Sequence, residues 1–293
     1  MSYPVQQGRK GKKRQSHFAI FARRFLRQKM AVLSLLLLLG IILACICAPL
    51  IAPYDYSAMD IRNLAKGPSA EHWFGTDDMG RDILSRILYG GRYSIMIGVA
   101  ATGIALVVGM AVGAVAGYFG GWVDMVVMRI CDVLQAVPSM LLSITIAAVL
   151  GTGFSKLLIA LSVGAMTGYT RLLRASILQI RNVEYIEAAT ATNCSSLRTI
   201  FRHVIPNCMT PMIVSATMGM ASQILSAAAL AYIGLGIQPP NPEWGAMLAG
   251  SRDYIRTAPH MLIFPGVMIA VTVLCFNIVG DGIRDATDPK MKN

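Results

Sequence analysis

The residue types that most often carry catalysis or bind metal ions lie scattered along this chain of 293 residues. Its histidines are far apart in the sequence: His17, His72, His203 and His260. Its six cysteines show neither the spacing of a zinc site nor that of a disulfide framework. The candidate catalytic carboxylates, Asp132, Asp281 and Asp285, lie at the ends of apolar segments rather than together inside one. We therefore predict neither a catalytic centre nor a metal site.

One glycine-rich stretch has a superficial likeness to a phosphate-binding loop. Residues Gly151–Lys156 lack the Gly-x-x-x-x-Gly-Lys-Ser/Thr spacing and follow the end of an apolar segment, so we interpret them as a turn. No other stretch of the sequence is a candidate for such a loop. We expect that this polypeptide neither hydrolyses ATP by itself nor holds a cofactor of its own.

The elements that carry these residues are strongly apolar. Hydrophobic residues make up 55% of the chain and charged residues 14%, and the mean hydropathy is +0.58, which indicates an integral membrane protein. A helix of about 20 apolar residues crosses a hydrocarbon layer of about 30 Å. We predict an all-α fold with six transmembrane helices: Ala31–Ala52, Ser94–Gly117, Val133–Leu150, Leu157–Thr170, Pro211–Gly236 and Met261–Val279. Pro138 should kink the third of them, and the glycine-rich second should pack centrally.

The charge distribution predicts the orientation of these helices. Residues 1–30 contain nine lysines and arginines and no acid, out of a net charge of +11 for the whole chain. A nucleic acid could bind such a tail, but a tail that leads directly into an apolar span is better explained by the positive-inside rule and by anionic membrane lipids. Six spans then place both termini in the cytoplasm.

A polar loop outside the membrane is predicted between the first two spans, within residues 31–93. Ile83, Leu84, Ile87 and Leu88 form an apolar stripe, which predicts an interfacial helix that ends at Gly90 and Gly91. Four charged residues come just before this stripe or at its start: Asp77, Asp78, Arg81 and Asp82. We favour helix capping and local ion pairing for them over a ligand-binding role. We assign residues 94–281 to a core domain and residues 282–293 to a C-terminal tail.

A polar loop on the cytoplasmic side, residues 174–210, separates the fourth and fifth spans. Four of its apolar residues recur at the spacing of one helix face: Leu197, Ile200, Phe201 and Val204. Ser195 or Ser196 is a suitable N-cap for this short helix, and Pro206 should end it. Asn193 lies where a turn between two helices would require a positive φ. An ordered insert of this kind is expected to dock onto a partner, with the apolar face packed on the chain's own helices.

The same loop resembles the Glu-Ala-Ala loop of binding-protein-dependent ABC importer permeases. The resemblance lies in six residues at the family's spacing: Glu187, Ala188, Ala189, Asn193, Ile205 and Pro206. Asn193 stands where the family usually has Gly, and Ile205 where it has Leu. Further motifs are similar to those of the second permease in dipeptide, oligopeptide and nickel importers: Phe74–Asp77, Gly80–Asp82, Ser85–Arg86, Pro239–Pro240, Trp244–Gly245, Gly280–Gly282 and Arg284–Asp285.

This resemblance implies a type I ABC importer permease fold, with an extra first helix before a core of five helices. It also implies the bacterial inner membrane, a homologous second permease, an external substrate-binding protein and two ATPase subunits that bind ATP and Mg²⁺. The chain would form half of a pathway for peptides, with nickel or another small solute as the alternative. Glu187 would contact the ATPase or stabilise the first helix of the loop, and we favour the contact.

Several polar residues of the fifth span are candidates for lining the pathway: Ser215, Thr217, Ser222, Gln223 and Ser226. Helix packing explains these small residues equally well. A rival class, the autonomous carrier driven by an ion gradient, usually places ionisable groups near the middle of the membrane. The apolar segments of this sequence contain almost none, which favours a permease that is driven by separate subunits.

Overall fold

The computed structural model describes residues 17–181, 183 and 194–288, and these residues form helices joined by turns. We number the helices in chain order: α1 His17–Arg27, α2 Lys29–Ile46, α3 Ala48–Ile51, α4 Ile83–Phe119, α5 Gly121–Ala136, α6 Ser139–Leu150, α7 Phe154–Ile180, α8 Ser196–Tyr232, α9 Trp244–Gly250 and α10 His260–Thr287. The second half of the predicted N-terminal tail is therefore helical. The predicted all-α fold is confirmed.

Four helices in the described ranges are long and apolar enough to cross a membrane, namely α2, α4, α8 and α10. Helices α5 and α6 together satisfy the same criteria but meet at an angle of 86°. The predicted fourth span lies within α7, whose apolar character is reduced by Lys156, Arg171 and Arg174. The predicted count of six is therefore not reproduced exactly: four spans are clear, one is broken, and α7 is long enough without being equally apolar.

The break between α5 and α6 lies where the sequence predicts a kink. Val137 has extended backbone angles, φ −92° and ψ 128°, and Pro138 precedes the first residue of α6. Proline lacks an amide hydrogen and restricts the residue before it to extended conformations, so a helix cannot run straight through this point. The break positions Ser139, the first residue of α6, beside α7, where a Cβ on Gly164 would lie 3.3 Å from the Ser139 carbonyl oxygen.

The prediction of a separate interfacial helix that ends at Gly90 and Gly91 is wrong. Helix α4 runs without interruption for 37 residues, through both glycines. These glycines provide space for other segments rather than a stop: a Cβ on Gly91 would lie 2.7 Å from Cζ2 of Trp244, and one on Gly90 would lie 3.4 Å from Cδ1 of the same ring. The boundary predicted at residue 93 therefore falls inside a helix.

Helix α4 lies at the centre of the bundle, as its glycines predict. It packs along α7, where Gly109 and Gly113 lie against backbone atoms of that helix. Ala105 and Ala114 of α4 are buried in the same core. Helices α2 and α8 also pack against α4. Small residues allow helix backbones to approach closely where lipid supplies no hydrophobic drive for association.

Candidate functional site

Only part of the predicted docking loop lies in the described part of the chain. Glu187, Ala188, Ala189 and Asn193 lie outside it, and their roles remain predictions. Ile205 is half-buried and Pro206 is exposed.

The prediction that Pro206 ends a short helix is wrong, because α8 continues through it to Tyr232. A π-helical turn, Ile200–Val204, comes just before the proline. In that turn the Ile205 amide donates to the carbonyl oxygen of Ile200, five residues back. This wider turn accommodates a residue that has no amide hydrogen and whose ring would collide with the carbonyl of a regular helix.

The predicted apolar face of this segment is divided between the protein interior and the surface. Ile200 and Val204 are buried against α7, in a cluster with Leu173 and Ile177, whereas 68% of Leu197 and 67% of Phe201 are exposed. The expectation that the whole face packs on the chain's own helices is therefore only half right. Helix α7 covers one edge of the stripe, and no other described residue covers the opposite edge. Ser195 occupies the N-cap position, as predicted, although its side chain makes no capping hydrogen bond.

Two ion pairs connect α5 to the C-terminal half of α7, which leads into the docking loop. Nε and Nη2 of Arg174 donate to the two carboxylate oxygens of Asp124. Nη2 of Arg171 lies 2.6 Å from Oδ1 of Asp132. Nη1 of Arg129 also lies 3.7 Å from Oδ2 of Asp132, within α5. Bidentate arginine–carboxylate geometry fixes orientation as well as distance, so the pair of Arg174 and Asp124 orients α5 relative to α7.

Four of the five pathway candidates lie together around two neighbouring hollows among α6, α7, α8 and α10. Ser222, Gln223 and Ser226 line the first hollow, of about 180 Å³. Ser215, Ser222 and Gln223 line the second, of about 350 Å³. Thr217 lines neither: it is half-buried, and its hydroxyl donates to the carbonyl oxygen of Ile213 in its own helix at 2.9 Å.

The other walls of the hollows come from helices that the sequence analysis did not connect with this site. Ser139 and Ser143 of α6 line the first hollow, and Tyr169 of α7 and Asn277 of α10 line the second. Asn277 is an isolated amide within an apolar span, a signal that could have marked it. The described residues that line the two hollows include no charged side chain. The site therefore offers amides and hydroxyls, which bind by neutral hydrogen bonds.

The charged residues before α4 serve as caps and ion pairs, as favoured from the sequence. Nε of Arg81 lies 2.6 Å from Oδ2 of Asp77, and Oδ2 of Asp82 accepts the Ser85 amide at 2.8 Å, capping α4. His72 Nδ1 lies 2.9 Å from the other Asp82 oxygen. Burial, reinforced by the neighbouring Asp77 carboxylate, raises the pKa of Asp78. This cluster fixes the loop before α4 to that helix.

A buried carboxylate holds the short helix α9 against α4. Glu243 is 2% exposed and accepts hydrogen bonds from Ser94 Oγ at 2.9 Å, from the Gly245 amide at 2.9 Å and from the Ala246 amide at 2.8 Å. Burial raises the pKa of Glu243, and these hydrogen bonds oppose that rise. The protonated carboxyl is therefore favoured more in the folded protein than in the unfolded chain.

This difference predicts a dependence of stability on pH. As the pH rises above the ordinary pKa of a glutamate, the unfolded chain loses this proton before the folded protein does, so stability falls until the pH exceeds the raised pKa. The slope from one such proton is at most about 1.4 kcal/mol per pH unit. Thermal unfolding of the purified chain in detergent, followed from pH 4.5 upwards, should show the decline.

The matched control for this experiment is Glu243→Gln, which keeps the size and one acceptor oxygen but does not titrate. The difference in stability between wild type and this variant should narrow or change sign as the pH rises. Parallel curves for the two proteins would contradict the assignment, because they would place the pH dependence on other groups.

Comparisons with known proteins agree with this architecture. Residues 109–293 match the family described as the inner membrane component of binding-protein-dependent transport systems, and residues 16–68 match the N-terminal transmembrane domain of oligopeptide transport permease C. The chain is 46% identical over 267 residues to the dipeptide transport system permease protein DppC of Alkalihalophilus pseudofirmus, covering 91% of this chain and 88% of that protein. It is 45% identical over 273 residues to the glutathione transport system permease protein GsiD of Escherichia coli, covering 93% and 90% respectively.

The fold is shared with a solved transporter. A chain from inward-facing structures of the MetNI methionine ABC transporter superposes with a TM-score of 0.56 at 17% sequence identity, covering 69% of this chain and 97% of that one. At this low sequence identity, the superposition supports a statement about the fold alone. It confirms the type I ABC importer permease fold. With the match that spans residues 109–293 and the relatives aligned over nine-tenths of the sequence, the chain belongs to the family of inner membrane components of binding-protein-dependent transport systems.

Proposed function

We propose that this permease forms half of the translocation pathway of an ATP-driven importer of peptides. The observation that carries the proposal is the pair of hollows with polar, uncharged side chains in their described walls, where Ser222 and Gln223 of α8 belong to both. A solute with amide groups can exchange its water for these hydroxyls and carboxamides without leaving a polar group unpaired. The relatives named for dipeptide and glutathione transport support the same substrate class.

The proposal includes the partners that the chain needs to work as an importer. A homologous second permease supplies the other half of the pathway, an external binding protein delivers the solute, and two ATPase subunits bind ATP and Mg²⁺. Both termini lie in the cytoplasm, where the basic N-terminal tail contacts anionic lipid headgroups. The chain itself performs no covalent chemistry.

The coupling to the ATPases is proposed to run through the loop between α7 and α8. The exposed side chains of Leu197 and Phe201, beside the exposed Arg198 and Arg202, offer a mixed apolar and basic surface. Because α8 is continuous from Ser196 to Tyr232, a displacement of this surface moves the whole helix, including the part that lines the hollows. A rigid helix joined to a docking surface is a common way to transmit domain motion.

Reconstitution into vesicles tests the function. The complete assembly, with both permeases, both ATPases and loaded binding protein, is expected to accumulate labelled dipeptide only when ATP is present. Uptake by this chain without the ATPases, driven by an ion gradient, would overturn the proposal. Accumulation of nickel in place of peptide would establish the alternative substrate.

A substitution in the loop tests the coupling. Glu187→Lys should lower uptake at least tenfold while the assembled complex continues to hydrolyse ATP, because a positive charge replaces the carboxylate proposed to contact the ATPase. The measurement is the ratio of peptide transported to ATP hydrolysed. Glu71→Lys makes the same change at an exposed glutamate in the loop before α4 and should leave that ratio unaltered. An unaltered ratio in Glu187→Lys would show that Glu187 has no coupling role.

A further inference from the structure

Gln223 is a buried amide that has no hydrogen-bond partner among the described residues. Its side chain is 8% exposed, it lies in the interior of α8, and it lines both hollows. The buried side-chain atoms without a hydrogen-bond partner among the described residues are Thr102 Oγ1, Arg171 Nε and Thr272 Oγ1, so the Gln223 amide is not sealed in the protein interior but faces the hollows. An amide that has no partner among the described residues and that lines two hollows is available to hydrogen-bond a solute.

The surroundings of Gln223 contain further polar side chains that have no hydrogen-bond partner within the described part of the chain. Ser222 and Ser226 line the hollows beside it, and Asn277 of α10 adds a second carboxamide to the wall of the larger hollow. Other polar groups nearby are already engaged: Ser143 Oγ donates to the Ala160 carbonyl oxygen at 3.0 Å, and the Tyr169 hydroxyl points to the Ser215 carbonyl oxygen at 3.5 Å. The side chains without a partner among the described residues thus include two that both hollows share, Ser222 and Gln223.

The chemistry of a carboxamide identifies the group that it can bind. Gln223 presents one carbonyl acceptor and two N–H donors, and a peptide bond presents one N–H donor and one carbonyl acceptor. A primary carboxamide can therefore pair with both polar atoms of one peptide bond. Since none of the described residues that line the hollows is charged, such pairing depends on the backbone of the solute rather than on the charges of its side chains.

We propose that Gln223 is a specificity-determining residue that hydrogen-bonds the backbone amide of a peptide in transit, with Asn277 as a second carboxamide for the same solute. This inference rests on the proposed function, because it concerns the same pathway. A hydrogen bond to the peptide backbone explains how one permease can transport peptides with different side chains while favouring solutes that carry a free amide N–H.

The test compares uptake of a dipeptide with uptake of the same dipeptide methylated on its peptide nitrogen, in vesicles that contain the complete transporter. Both solutes are supplied on saturating, preloaded binding protein, so that differences in delivery are the same for every variant. Wild type should take up the unmethylated dipeptide preferentially. Gln223→Leu, which keeps the bulk and removes the amide, should reduce that preference by roughly 3- to 10-fold, the range expected for one net hydrogen bond.

Two further variants sharpen the result. Thr217 lies on the same helix but lines neither hollow. The variant Thr217→Val should therefore keep the wild-type preference for the unmethylated dipeptide. Gln223→Glu places a negative charge on the neutral wall, and it should increase uptake of a lysine-containing dipeptide relative to a glutamate-containing one. A gain of charge selectivity is a readout that a purely structural role of Gln223 would not produce.

The outcomes separate this inference from the function on which it rests. No peptide uptake by the wild-type assembly would overturn the proposed function. Uptake by wild type together with an unchanged preference in Gln223→Leu would overturn the inference and leave the function standing. Failure of Gln223→Leu to co-purify with the second permease would also overturn it, because it would identify Gln223 as an interface residue between the two permeases.

Discussion

Replacement of Trp244 by alanine is expected to destabilise the protein by about 3–5 kcal/mol, the usual range for removing a buried tryptophan. The Trp244 side chain is completely buried, between α4 and the loop that contains α9. Its indole Nε1 donates to the Ile87 carbonyl oxygen at 3.0 Å, and its backbone amide donates to Ser94 Oγ at 3.1 Å. Truncation leaves a cavity next to Gly90 and Gly91 and removes the indole donor from the carbonyl of Ile87.

The measurement is the fraction of purified protein that remains monodisperse in detergent after heating, with wild type as the reference. Trp244→Phe keeps an aromatic ring and loses only the indole donor, so it should fall between wild type and Trp244→Ala. The matched control is Trp73→Ala, since 70% of Trp73 is exposed and its removal should change stability by less than about 0.5 kcal/mol. Equal losses in Trp73→Ala and Trp244→Ala would contradict the packing role of Trp244.

The helices were predictable because their signals are local. A run of apolar residues long enough to cross a bilayer, as in α2 and α10, is recognisable without knowledge of the rest of the fold. The break at Pro138 follows from the chemistry of one residue. In contrast, Gly90 and Gly91 indicate a helix end by local rules, and only their contact with Trp244, about 150 residues later in the chain, explains why α4 continues.

The polar hollows were predictable only in part, for the same physical reason. Ser222, Gln223 and Ser226 share one helix, and periodicity alone groups them. Asn277 and Tyr169 reach the hollow from α10 and α7, and a single sequence does not reveal which distant helices meet. Pro206 is a case in which a local rule gave the wrong result. Proline usually ends a helix, but here the preceding turn widens and the helix continues. The assignments of Glu187 and Asn193 lie outside the described residues and stay predictions.

Replacement of Gly113 by leucine is expected to be the most damaging change in the centre of the bundle. A Cβ at Gly113 would lie 2.5 Å from the Thr170 carbonyl oxygen and 3.2 Å from its Cα. These are backbone atoms of α7, which cannot move aside as a flexible side chain can, so the two helices must separate. Overpacking in a core costs about 1–3 kcal/mol and occasionally more, and here each further atom of the leucine side chain widens the separation.

The consequence should extend from stability to the pathway, because Tyr169, the neighbour of Thr170, lines the larger hollow. We expect that Gly113→Leu yields little monodisperse protein, and that the milder Gly113→Ala yields protein with reduced peptide uptake in the complete assembly. Gly103→Leu is the matched control on the same helix, since nothing lies within 4 Å of a Cβ at Gly103, and its yield and uptake should resemble those of wild type. A normal yield of Gly113→Leu would mean that α4 and α7 do not pack through this glycine, and the position of the hollow wall would have to be reconsidered with it.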